Sequence, residues 1–169
     1  MTSIPSSMSP WLKRALNLAG VLVVALGCST LVGWHARIAP LLQVHREWAP
    51  MPYNTALCFV LCGVALILLG VGRVRWVAAS GSLVGMVGGL TLAESMSGVD
   101  LRIDQALFAS WLKVVTPYPG RMSPITASCF VLLGIGFIVA GKGPRIARLA
   151  AGRRVERNRR RALRGGAVQ

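Results

Sequence analysis

Acidic residues are scarce in this sequence. Asp and Glu together number 5 among 169 residues, and there are only 2 histidines. Catalytic acid–base pairs and most metal sites depend on these residue types, so hydrolytic and metal-dependent enzymes have few candidate residues. The sequence also contains no nucleophile beside a base, no phosphate-binding loop and no metal motif. We therefore predict a protein that is not an enzyme and that holds no cofactor and no metal.

Charge of both signs is sparse outside the C-terminal end. Only 14% of residues are charged against a usual share of about 25%, 54% are hydrophobic, and the mean hydropathy is +0.59. A helix needs about 20 apolar residues to cross a bilayer, and four stretches have this length: about 15–34, 54–72, 76–96 and 124–141. The sequence predicts an all-α, integral membrane four-helix domain over residues 1–141, followed by a basic cytoplasmic tail over 142–169.

The basic residues predict the orientation of these spans. Lysine and arginine are retained on the cytoplasmic side of a membrane. The N-terminus, the turn at 73–75 and the tail hold 14 of the 19 basic residues, and the opposite side holds 5. We predict that both chain ends are cytoplasmic, in an N-in, C-in topology.

The cysteines, the histidines and the first apolar span each allow more than one interpretation. Cys58 and Cys62 share one helix face and could hold a metal, although packing as small apolar residues is favoured. His35 and His45 lie in a predicted outer loop, without the spacing of haem or metal ligands. The first span could be a cleaved signal ending near Cys28, but its apolar run continues to residue 34, which favours a retained helix.

The segment between the third and fourth predicted spans contains patterns that predict two local structures. Residues 100–115 form an amphipathic pattern with Asp100 as N-cap, which indicates an interfacial helix along the outer surface. After a Pro- and Gly-containing break, Ser123 and Pro124 supply an N-cap and a first-turn proline for the last span.

Small residues at four-residue spacing mark one face of the third span. Gly81, Gly85 and Gly89 let another helix backbone approach closely. The partner is either a helix of this chain, which is favoured, or one of another chain.

Part of the sequence is repeated. Residues 51–63 (MPYNTALCFVLCG) match residues 122–134 (MSPITASCFVLLG) at eight of thirteen positions. The second and fourth spans are therefore predicted duplicates that cross in the same direction, which makes a partial parallel internal repeat. The first and third spans align poorly at the same offset of 71.

Three stretches, 51–63, 92–108 and 119–134, resemble in order the multi-pass N-terminal membrane sensory domains of bacterial PAS, GGDEF and histidine-kinase signalling proteins. The resemblance implies a signalling-input role in the bacterial inner membrane and brings no catalytic residue. Two departures are Tyr53 before Asn54 and Ile125 in place of the second asparagine. The printed sequence has no output module after residue 141, so we expect a stand-alone or truncated relative.

Glu94 is the only acid inside a predicted span. A buried charge is costly unless it is paired, and Arg102 or Arg121 could be its partner. Asp100 and Asp104 are predicted in the same outer layer. Together Glu94, Asp100, Asp104 and Arg121 form a candidate sensing cluster or a polar cluster at headgroup level that only stabilises the fold, and the stabilising role is favoured.

The tail predicts a contact with anionic surfaces. Its arginines favour lipid headgroups or an acidic protein partner, and nucleic acid is disfavoured because the tail has no aromatic residue for base stacking. The arginines concerned are Arg153, Arg154, Arg157, Arg159, Arg160 and Arg161. Two functions follow: a sensory-input module, or an accessory subunit that docks into a larger membrane complex through the glycine face and the interfacial helix.

Overall fold

The computed structural model describes residues 8–43, 49–98 and 121–142. Its helices are α1 (Pro10–Ala36), α2 (Tyr53–Gly70), α3 (Val74–Ser97) and α4 (Pro124–Lys142), with a short 3-10 helix at Ala39–Leu41. All four α-helices are long and apolar enough to cross a membrane. The chain is an all-α, four-helix, multi-pass membrane protein, as the hydropathy predicts. The tail and the predicted interfacial helix lie outside the described residues.

Local sequence signals set several helix ends. α1 begins with Pro10, whose missing N–H is tolerated in a first turn, and ends at Arg37 in the left-handed conformation. α3 ends at Gly98, where a positive φ of 69° suits glycine. The predicted cap of α4 is confirmed, because the Thr126 backbone N–H donates to Ser123 Oγ at 3.2 Å. α1 begins about five residues before the predicted span, whereas α2 ends two residues early.

Each outer connection joins two helices that pack closely along their length. In the first hairpin, α1 and α2, a Cβ added to Gly20 would lie 2.7 Å from the Gly63 carbonyl oxygen. In the second hairpin, α3 and α4, a Cβ added to Gly81 would lie 2.9 Å from the Gly134 carbonyl oxygen. Such distances leave no room for a side chain, so these glycines allow backbone-to-backbone packing.

The two hairpins are copies of each other. A second close contact in each, Gly27 on the Ala56 carbonyl and Gly88 on the Ala127 carbonyl, has the same distance of 2.7 Å. The glycines of α1 correspond to those of α3 at an offset of 61 residues, and their contacts in α2 correspond to those in α4 at an offset of 71. The outer connection is longer in the second hairpin by the same ten residues, which explains why the first helices do not align at 71.

α2 is the central helix. It contacts α1 and α3, and the ring of Phe59 meets that of Phe130 in α4. Its buried residues Cys58, Cys62 and Ala65 join Val77 and Val84 of α3 in the core, together with four residues of the second hairpin: Met122, Ala127, Phe130 and Phe137. The outward faces of α1, α3 and α4 carry exposed leucine, isoleucine, valine and methionine. These faces suit a lipid environment.

Candidate functional site: a buried polar cluster at the outer end

Buried polar residues gather at one end of the bundle. We call it the outer end; it holds the C-termini of α1 and α3 and the N-termini of α2 and α4. Asn54 and Thr55 lie in the first turn of α2, and Thr91 and Glu94 lie in the last two turns of α3; all four are buried. Polar side chains inside a membrane bundle are costly unless they are paired, which makes this end the candidate site.

Glu94 and Arg121 form an ion pair at this end. The Glu94 side chain has 0% exposure and that of Arg121 has 11%, and Nη2 of the arginine lies 3.9 Å from Oε2 of the glutamate. These two atoms attract each other as opposite charges, because a hydrogen bond between them would need a distance of about 3 Å. Of the two predicted partners, Arg121 is confirmed, and Arg102 lies outside the described residues.

The pair joins the two ends of the second outer connection. Glu94 precedes Gly98, the C-cap of α3, and Arg121 lies three residues before the first residue of α4. The described residues on the two sides of 99–120 are therefore joined by an electrostatic contact. A change in charge at either residue would act directly on the place where α3 and α4 meet the connection.

Two threonines add unmet hydrogen-bonding capacity. Oγ1 of Thr55 and Oγ1 of Thr91 are buried and have no hydrogen-bond partner among the described residues. Thr91 lies three residues before Glu94, so the two side chains share one face of α3. The sequence reasoning identified Glu94 and Arg121 but missed Thr91, Asn54 and Thr55.

In the described part of the first hairpin, neutral groups meet at the outer end. Trp34 is buried and its Nε1–H donates to the Met51 carbonyl at 3.0 Å. Thr30 donates to the Leu26 carbonyl at 3.1 Å and lies 3.4 Å from the Met51 sulfur. By the two offsets, Thr30 corresponds to Thr91, and Met51 to Met122. The duplication therefore keeps a threonine and a methionine at both outer ends.

The two positions of the ion pair are uncharged in the first hairpin. At the offset of 61, the counterpart of Glu94 is Gly33, and at the offset of 71 the counterpart of Arg121 is Pro50. Neither counterpart carries a charge. Among the described residues, the closure of one copy thus includes an indole hydrogen bond, and that of the other includes a pair of opposite charges.

The other predicted site residues divide into those placed and those outside the described ranges. Gly81 and Gly85 face α4, with a Cβ on Gly85 at 3.6 Å from Gly134 Cα. Gly89 does not, because a Cβ there would meet nothing within 4 Å, and Gly88 takes its place. Gly88 lies seven residues after Gly81, which nearly completes two helical turns, whereas Gly89 lies eight residues after it and is rotated by about 80° off the face. Asp100, Asp104 and the six tail arginines fall outside the described residues.

The chemistry of the cluster is that of charge and hydrogen bonding. Within residues 8–43, 49–98 and 121–142, no group of three His, Cys, Asp or Glu side chains could hold a metal ion. His35 is exposed and its Nε2 lies 3.4 Å from the Tyr53 hydroxyl. Cys58 and Cys62 pack in the core.

Comparison with known proteins gives no relative for this chain: no family model, no curated protein and no solved structure matches it.

Proposed function

We propose that this protein is a non-catalytic input module of the bacterial inner membrane, which senses a signal at its outer end. The observation that carries the proposal is the buried ion pair of Glu94 and Arg121, which joins both ends of the outer connection 99–120. The signalling context comes from the resemblance in sequence. The role of the outer end comes from the placement of charge.

A buried ion pair adds little to the stability of a fold compared with apolar side chains in the same place. Desolvation of two charges offsets much of their attraction, and apolar replacements of similar volume are often as stable. The first hairpin shows a neutral closure that uses Trp34 and Met51 at the equivalent end. A charged closure in the second hairpin therefore suggests a responsive contact, in which a bound ligand would weaken the attraction.

Rigid packing offers a path from this end to the inner end. Below the ion pair, α3 and α4 touch at Gly88 and Ala127, and then at Gly81 and Gly134. At the inner end, a Cβ on Gly141 would lie 2.6 Å from the Val74 carbonyl oxygen. Helices in such close contact slide past one another as rigid elements rather than bend locally. A loosened outer closure would thus move the end of α4, after which the basic tail begins.

The experiment measures the inner end while the outer pair is changed. Arg75 and Lys142 are exposed at the inner ends of α3 and α4, and each is replaced by a spin-labelled cysteine in a protein whose exposed Cys28 and Cys129 are serine. Glu94→Gln is expected to change the distance distribution between the labels in lipid nanodiscs. The matched control is Trp34→Phe, which alters the closure of the first hairpin. Identical distributions for Glu94→Gln and the parent protein would contradict the proposal.

The tail completes the proposed path. In this proposal its arginines contact anionic lipid headgroups or an acidic region of a membrane protein partner, which would receive the movement of α4.

The alternative function is an accessory subunit that docks through Gly81, Gly85 and Gly89, and it has less support. α4 of the same chain already occupies the face of Gly81 and Gly85.

A further inference from the structure

Among the described residues, one face of α4 lacks the helix partner that its counterpart face in α2 has. In α2, the side turned away from α1 carries Cys58, Cys62 and Ala65, which are buried in the core shared with α3 and α4. The counterparts of these three residues in α4, at the offset of 71, are Cys129, Leu133 and Gly136. All three are exposed. We call Cys129, Leu133, Gly136 and Ala140 the open α4 face.

This face forms one wall of an apolar groove. The groove has a volume of about 620 Å³, and Leu69 of α2 lines its other side. Three of the four residues of the open α4 face are small, and small residues in membrane helices are typical of positions where another helix approaches. The corresponding face of α2 is covered by a helix in this same structure, so its packing partner shows what the open face would accept.

α1 presents the complementary surface. It is the counterpart of α3 at the offset of 61, and α3 is the helix that packs on α2. On α3 the residues of that side include Ser80 and Val84, which are buried. Their counterparts in α1 are Ala19, which is exposed, and Val23, which is half-buried because part of it packs against the core of its own chain. Leu26, one turn further along the same side, is 50% exposed.

The geometry points to a second copy of this chain as the occupant: we propose that α1 of one copy packs on the open α4 face of another. Two copies inserted in the same orientation place α1 antiparallel to α4, as α3 is antiparallel to α2. The contact would repeat an interface that the chain already makes internally. It is heterologous, joining two different faces, and gives a closed assembly if the rotation between copies closes.

Disulfide cross-linking of the full chain in native membranes tests this pairing. Cys129 is already on the open face, and Leu26→Cys adds a thiol on the predicted partner face in a Cys28→Ser protein. We expect oxidation to give disulfide-linked dimers and, because each copy carries both thiols, larger linked species. The parent chain, with Cys28 and Cys129, is the matched control, because Cys28 lies about 160° around α1 from the side of Leu26 and Val23. Equal dimer in both proteins, or none in either, would overturn the proposal.

Two further measurements distinguish the proposed α1–α4 pairing from other occupants of the open α4 face. A dimer formed by Cys28→Ser alone would join Cys129 to itself and show a symmetric α4–α4 contact, which contradicts the proposed pairing. Gly136→Leu should abolish the assembly in single-molecule counting in bilayers, because it fills the groove while its own helix has open space there. Gly89→Leu, with equally open space on α3, should leave the assembly unchanged. Single copies in the parent chain would mean that only lipid covers the face.

Discussion

The rings of Phe59 and Phe130 meet edge to face, with centroids 5.7 Å apart and an interplanar angle of 82°. The two residues are counterparts in the duplicated helices, 71 positions apart. Each therefore packs against its own equivalent, where α2 and α4 approach one another. The contact lies between the hairpins, whereas the glycine contacts lie within them. One duplicated sequence thus supplies both the packing inside each hairpin and a contact that joins the two.

Substitutions of the two residues in the outer ion pair should destabilise the fold to different extents. Arg121→Ala leaves the fully buried Glu94 without its cation and should destabilise the fold by about 3–5 kcal/mol. Glu94→Gln should cost less, because the remaining arginine is partly exposed. Thermal unfolding in detergent measures both. The double variant Glu94→Gln with Arg121→Gln should recover much of the loss. Additive losses in the double variant would show that the two charges do not interact.

Neighbouring glycines of α3 should respond in opposite ways to alanine. In Gly88→Ala the new methyl group would lie 2.7 Å from the Ala127 carbonyl oxygen, and overpacking of this kind costs about 1–3 kcal/mol. Gly89→Ala meets open space, and alanine favours a helix, so its melting temperature should be unchanged or slightly higher. The two melting temperatures are compared in the same detergent. Equal destabilisation would contradict the helix rotation seen here.

The closure of the first hairpin should depend on one indole hydrogen bond. Trp34→Phe keeps an aromatic ring but removes the donor to the Met51 carbonyl, and the loss is expected to be about 1 kcal/mol. Trp76→Phe is the control, since Trp76 is exposed on α3. Thermal unfolding of both variants checks the difference. A Trp76 effect as large as that of Trp34 would argue against this closure.

The predicted orientation is open to a direct test with reporter fusions. A fluorescent protein that matures only in the cytoplasm should be active when it is fused after Lys142, because the flanking lysines and arginines are retained inside. A phosphatase that works only outside should be active when it is fused after Gly98. Activity of the phosphatase after Lys142 would reverse the topology.

Local features of the sequence were sufficient for the helices themselves. Apolar length predicts four spans, and the Ser123–Pro124 pair predicts the start of α4, because both depend on residues within one segment. The repeat of 51–63 in 122–134 likewise compares one helix with one other. Glu94 stood out because it is a single acid in an apolar run. These properties need no knowledge of how the helices are arranged.

The partner of each residue was decided only by tertiary structure. The rotation of α3, which places Gly88 rather than Gly89 on α4, follows from packing along the whole helix pair. The correspondence of α1 with α3 was hidden by the ten additional residues of the second outer connection and became visible through equivalent contacts. Arg121 lies 27 positions from Glu94 in sequence, and only the return of the chain at the start of α4 brings their charges together. The sequence alone therefore determined which segments enter the membrane, and the packing of their backbones decided which side chains meet there.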